Sequence, residues 1–142
     1  MLTQTEAEKL ISLKKSFVKS EIISLPPGSD LTYELVSDDK QESFLLDLWR
    51  STFRLSKIKL QNRARQVTIL VRLDVDGAPH TNPDGQHLPG THIHYYREGY
   101  EDRWAFPVDL KVFTNTYDIA LTLEQFCMHC NIEKPSYQGW LT

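Results

Sequence analysis

All five histidines of this 142-residue chain fall in one stretch: His80, His87, His92, His94 and His129. Its two cysteines, Cys127 and Cys130, close the same stretch. Imidazole nitrogens and thiolates are donors that zinc prefers, and four of them satisfy its tetrahedral geometry. The first chemistry these residues suggest is metal binding.

The spacing sharpens that expectation. His92 and His94 are two apart in a run with strand character, so both rings project from one face. Cys127 and Cys130 are three apart in a segment of helical period, so both sulfurs can reach one point. A helix packed over the sheet would then bring the thiols to the histidines of the strand or its preceding loop. The expected ligands of a structural Zn2+ are His80, His94, Cys127 and Cys130, with His92 close behind. His129 points roughly 200° away from Cys127 on the helix and ranks lower. A plainer reading stands beside this one. The second CxxC of a zinc ribbon is missing, a cysteine on an apolar helix face is most often core, and His-x-His in a strand is often simply hydrogen-bonded. No strand leads into the CxxC, which disfavours a thioredoxin-like redox role.

Catalytic readings are weaker. His80, His94, Arg97, Glu98 and Tyr100 could serve a metal-independent ribonuclease, one histidine as base, another as acid, with Arg97 on the phosphate. Nothing in the spacing forces it. Asp74-Val75-Asp76-Gly77 fails as a calcium loop, because the glycine and the twelfth-position glutamate are misplaced. There is no P-loop, nucleophile elbow, dinucleotide fingerprint or zinc-protease helix. The expectation is a non-enzymatic protein.

The charge is uneven. Residues 1–73 carry 12 basic and 9 acidic side chains, and 74–142 carry 4 and 10. Between Asp47 and Asp74 there is no acid, but Arg50, Arg54, Lys57, Lys59, Arg63, Arg65 and Arg72 are present. Such a stripe, with Trp49 and Phe53, can bind nucleic acid, or be a solvated sheet face whose charges the acidic second half answers.

The elements that must position these residues follow from periodicity. Thr3 or Thr5 with Glu6 or Glu8 offers a capping box, and Ala7, Leu10, Ile11, Leu13, Phe17 and Val18 continue a helical pattern. Leu31, Tyr33 and Leu35 alternate as a strand does. Phe44 to Trp49 suits a strand or a short helix, and Lys57 to Leu60 alternates again. Val67 to Val75 reads as a central strand buried on both faces. Asp76-Gly77 and Asn82-Pro83-Asp84-Gly85 are turns. Thr91 to Arg97 and Trp104 to Val108 read as further strands. Helical period returns over Ile119–Cys130, with Thr122 a candidate cap. The expected fold is one α+β domain over 1–142: an N-terminal helix, an antiparallel meander of five or six strands, and a C-terminal helix on the sheet.

The short apolar runs, the acidic N-terminus and the paucity of cysteine predict a cytoplasmic protein without a membrane span. The run His80-Thr81-Asn82-Pro83-Asp84-Gly85, with Gly90 to Tyr100 and Trp104-Ala105, resembles small uncharacterised proteins of Gram-positive bacteria, their phages and mobile elements. The chain is also similar to a zinc-carrying phage inhibitor of the type II-A CRISPR nuclease. That similarity implies a protein partner, with the acidic second half facing the basic channel of such a nuclease. Zinc would then be structural.

Overall fold

The computed structural model describes residues 1–138; the last four residues of the expected domain lie outside them. In chain order the elements are α1 (Gln4–Ser12), β1 (Lys15–Phe17), β2 (Ile22–Ile23), β3 (Asp30–Ser37), β4 (Ser43–Arg50), β5 (Ile58–Ala64), β6 (Thr68–Val75), β7 (His80–Thr81), β8 (His87–Leu88), β9 (His92–Tyr95), β10 (Ala105–Phe106), α2 (Ile119–His129) and β11 (Ser136–Tyr137). The main sheet has seven strands in the order β1-β3-β4-β5-β6-β9-β10. Every pairing within it is antiparallel. The expected α+β meander is present, with more strands than expected. None of the described helices is long and apolar enough to cross a membrane.

α1 begins as the capping box requires: Thr3 Oγ1 accepts from Glu6 N–H while the Glu6 carboxylate accepts from Thr3 N–H. It stops at Ser12, well short of Val18. Ser16 and Phe17 instead pair with Val36 and Leu35 at the sheet edge. The helical pattern of Phe17 and Val18 yields to tertiary pairing, which suits an aromatic and a β-branched residue. Lys15 is fully buried there, with its ammonium 4.8 Å from the centroid of the Phe44 ring. It donates to the carbonyls of Ile11, Leu13 and Cys130 at 2.8, 2.9 and 2.7 Å. One ammonium thus ties the C-terminal ends of both helices together.

Alternation gives the sheet two different faces. Leu46, Leu48, Leu60, Leu73 and Ile93 belong to one apolar core with Ala7, Leu10, Leu123, Phe126, Cys127 and Cys130 from the helices. The opposite face carries Asp47, Trp49, Lys59, Gln61, Arg72, Asp74, His92 and His94, in directly paired rows. β6 is largely buried along both faces, as expected of a central strand, with Arg72 and Asp74 making its second face polar. The excursion between β6 and β9 folds over this second face and forms the β7–β8 hairpin.

Candidate metal centre

The register of β9 on β6 sets His94 opposite Arg72 and His92 opposite Asp74. Directly opposed residues share a face, so these four side chains form a polar island. His80 arrives from the hairpin above it. The turn Asn82-Pro83-Asp84-Gly85 closes with Gly85 N–H donating to Asn82 O at 2.8 Å. Buried Asn82 then clamps the hairpin to β10: its Nδ2 donates to Ala105 O at 2.9 Å, and its Oδ1 accepts from Ala105 N–H at 2.8 Å. At the base of the excursion, Gly77 N–H donates to Gly90 O at 3.0 Å.

These constraints stack three imidazoles. Their ring centroids are 4.7 Å apart for His80–His94, 4.9 Å for His92–His94 and 5.5 Å for His80–His92. Each ring spends one nitrogen on a backbone carbonyl. His92 Nδ1 faces Pro89 O at 2.7 Å, His94 Nδ1 faces Asp102 O at 2.8 Å, and His80 Nε2 faces Arg103 O at 2.9 Å. A carbonyl only accepts, so these nitrogens carry hydrogen and the tautomers are fixed. The neutral rings then present lone pairs on His92 Nε2, His94 Nε2 and His80 Nδ1. One potential ligand atom from each of the three histidines lies within 4.8 Å of the others, so the trio could hold a metal ion. Backbone carbonyls orienting the far nitrogen are the usual outer shell of a metal-bound histidine.

The surroundings carry charge of both signs. Asp74 Oδ2 lies 3.2 Å from His92 Nε2 and 3.8 Å from His94 Nε2. Arg72 donates to His94 Nε2 at 3.0 Å and to Asp102 Oδ2 at 3.0 Å, and its Nε lies 3.2 Å from Asp74 Oδ1. Burial works against ionised Asp74, but His92, His94 and Arg72 hold its pKa far below the usual carboxylate range. Burial likewise disfavours charged His92, yet the Asp74 carboxylate and the Pro89 carbonyl outweigh it and raise its pKa. With Nδ1–H already committed, His92 can donate to Asp74 only as imidazolium. A proton or a metal ion must sit between them.

The sheet divides the five residues expected to bind zinc. His80, His92 and His94 meet on one face. Cys127 and Cys130 are free thiols buried on the other, among Leu123, Phe126 and the helix-facing strand residues. Burial pushes the Cys130 thiol up to about 12 and Cys127 higher still. His129 follows them, hydrogen-bonded at 2.7 Å to Tyr95, which points away from its neighbour His94. The expected clasp between Cys-bearing helix and His-bearing strand does not form. Residues 93 and 95 face α2, whereas 92 and 94 cannot.

Of the residues named for the alternative ribonuclease, His80 and His94 come together, while Arg97 and Glu98 are engaged elsewhere. Arg97 stacks on Trp104 with 4.3 Å to the ring centroid, and Glu98 accepts from Gln4 N–H at 2.7 Å. The basic stripe is largely answered by acids. Arg54 pairs with Asp76, Arg63 with Asp47, and Arg65 with Glu42. Asp74, Arg72 and Asp102 are the site residues that spacing missed. A signal for Asp74 was present: an acid inside a β-branched run is expensive unless paired or coordinating.

A two-helix α+β domain with a three-histidine cluster on its helix-free sheet face is thus the class of protein defined here. The chain belongs to a family of unknown function (DUF6978), whose model matches residues 2–132. No curated protein and no solved structure matches it.

Proposed function

We propose that the protein is a non-enzymatic interaction protein stabilised by a zinc ion on His80, His92 and His94. The convergence of three imidazole lone pairs, each fixed by a carbonyl behind it, carries this reading. Imidazole and the tetrahedral preference suit zinc. The ion joins the hairpin to β9, and so fixes the excursion over the charged face. That is a structural task, and the engagement of Arg97 with Trp104, away from the phosphate-binding role it would need in a ribonuclease, favours it.

The proposed partner is a protein surface. Small size, mild acidity and the lack of a catalytic motif are what a phage inhibitor of the type II-A CRISPR nuclease would show, and that nuclease is the partner proposed, bound in the host cytoplasm so that DNA loading or cleavage is blocked. Acidic side chains of the second half would meet its basic channel. Elemental analysis of protein purified without chelators tests the metal, with about one zinc per chain expected in the wild type and far less in His80→Ala. A content far below one in the wild type overturns the metal reading. Co-purification with the nuclease and inhibition of its cleavage test the partner. Failure of both leaves the metal reading standing and removes that partner.

A further inference from the structure

We propose that Asp74 is the fourth ligand of this centre, so that the ion is closed off from water and acts as a staple. The proposal rests on the metal reading above and decides what kind of centre it is. Structural zinc sites have four protein ligands, whereas catalytic ones keep a position for water or substrate.

Distances carry the argument. Zinc bonds to nitrogen and oxygen of about 2.0–2.1 Å place the corners of a regular tetrahedron about 3.3 Å apart. Asp74 Oδ2 stands 3.2 Å from His92 Nε2 and 3.8 Å from His94 Nε2. Both edges from Asp74 to the strand histidines are thus near the tetrahedral value, whereas the mutual 4.8 Å grouping takes in only the three histidines, so closing the site requires the hairpin to bring His80 nearer Asp74. Asp74 is only 8% exposed, and its Oδ1 meets Arg72 Nε at 3.2 Å without forming a hydrogen bond. A buried carboxylate is costly unless paired or coordinating. Arg72 does not settle that cost alone, because its guanidinium is shared among Asp74, Asp102 and His94. When the ion takes His94 Nε2, Arg72 gives up that hydrogen bond. It keeps Asp102 and Oδ1 of Asp74, and so orients the ligating carboxylate from behind.

A cleft of ≈ 160 Å³ reaches Asp74, His80 and His92 from solvent between Lys57, Lys59 and Pro79. It supplies the entry path a metal site needs. It is also where an exchangeable fourth ligand would sit if Asp74 stayed out of the coordination sphere.

Cobalt(II) separates the two cases. Chelator-stripped protein is loaded with Co2+, and its visible spectrum is followed while azide or phosphate is added. A closed site gives intense tetrahedral bands that neither anion moves. Bands that shift with either anion in the wild type overturn the proposal, and this arm needs no variant. In Asp74→Ala, zinc affinity measured against a chromogenic chelator should fall more than about 100-fold, beyond the roughly 10- to 100-fold typical of losing an outer-shell partner. The residual cobalt spectrum should become sensitive to azide. A smaller loss overturns the proposal. Failure of the wild type to bind either metal strikes the underlying metal reading instead.

Discussion

Gly77 and Gly90 cross back to back at the mouth of the β6–β9 excursion. A Cβ added to Gly90 would lie 2.2 Å from Gly77 O, which is backbone and cannot turn aside. Gly77 N–H meanwhile donates to Gly90 O at 3.0 Å. This close approach sets where the hairpin leaves and rejoins the sheet, and hence whether His80 lies over His92 and His94.

Gly90→Ala should therefore cost about 2–3 kcal/mol of unfolding free energy, as forced backbone movement does. It should also weaken zinc binding. Gly85→Ala is the control. Gly85 has φ +89 with nothing within 4 Å of an added Cβ, so its cost is conformational only, about 1–2 kcal/mol. Urea titrations with and without zinc check both. Equal effects of the two variants on metal affinity would refute the role given to the crossing.

Metal removal should act locally. Chelation is expected to lower the melting temperature and to raise amide exchange in 77–104, while the β3–β4–β5 amides stay protected. Asn82→Ala should mimic part of this by cutting both hydrogen bonds to Ala105. His87→Ala should not, because His87 Nδ1 meets Thr81 Oγ1 at 2.9 Å outside the trio. Exchange mapped by mass spectrometry distinguishes these outcomes.

Much of this architecture can be read from residue pattern. The capping box at Thr3 and Glu6, the alternation of Leu31 to Leu35 and the turn at Asn82 to Gly85 are local signals, and each element forms where its signal lies. His92 and His94 share a face because a strand has period two. What the sequence hides is which face meets what. Ile93 and Tyr95 turn to α2, so the cysteines share a protein side with them, and no local pattern states that α2 packs there. Lys15 hides in the same way. A lysine near a helix end reads as a solvated charge, yet this one is buried because three carbonyls from two helices surround it. Asp74 was legible as an anomaly but not as a partner, since His92 and His94 meet it only through the register of β9 on β6.

The two thiols should respond to alkali, not to chelators. Cys127→Ala and Cys130→Ala are expected to keep about one zinc per chain, measured by elemental analysis. Burial raises Cys130 from 9.0 to about 12 and raises Cys127 further, while Tyr95 rises to about 12. Folded protein then holds protons that the unfolded chain releases, so this stability is complete below pH 9 and is lost toward pH 12. Lys15 acts in the opposite sense. Burial lowers it from 10.5 to about 8, so its contribution improves as pH rises across that window. Three groups outweigh one, and the urea midpoint should fall from pH 9 to pH 11. The Cys130→Ala slope should be flatter. A midpoint that climbs over this range would contradict the burial of the thiols.

The basic stripe gives the last prediction. Arg54, Arg63, Arg65 and Arg72 are each engaged by a carboxylate. Lys57 and Lys59 hold their ammonium groups 5.7 and 5.3 Å from the centroid of the Trp49 ring. A strand of RNA laid on this face would find two lysines to neutralise its phosphates unless it broke ion pairs. Each phosphate contact on a single strand contributes about −0.7 to the slope of log K against log salt. Two contacts give about −1.4, and affinity at physiological salt should be negligible. Titration of labelled single-stranded RNA from low to physiological salt measures this slope. A value near −4 or steeper, lost in Lys57→Ala with Lys59→Ala, would mean that the arginines leave their acids for phosphate. The charged face would then be a nucleic-acid interface after all, and the metal-pinned excursion would be its wall.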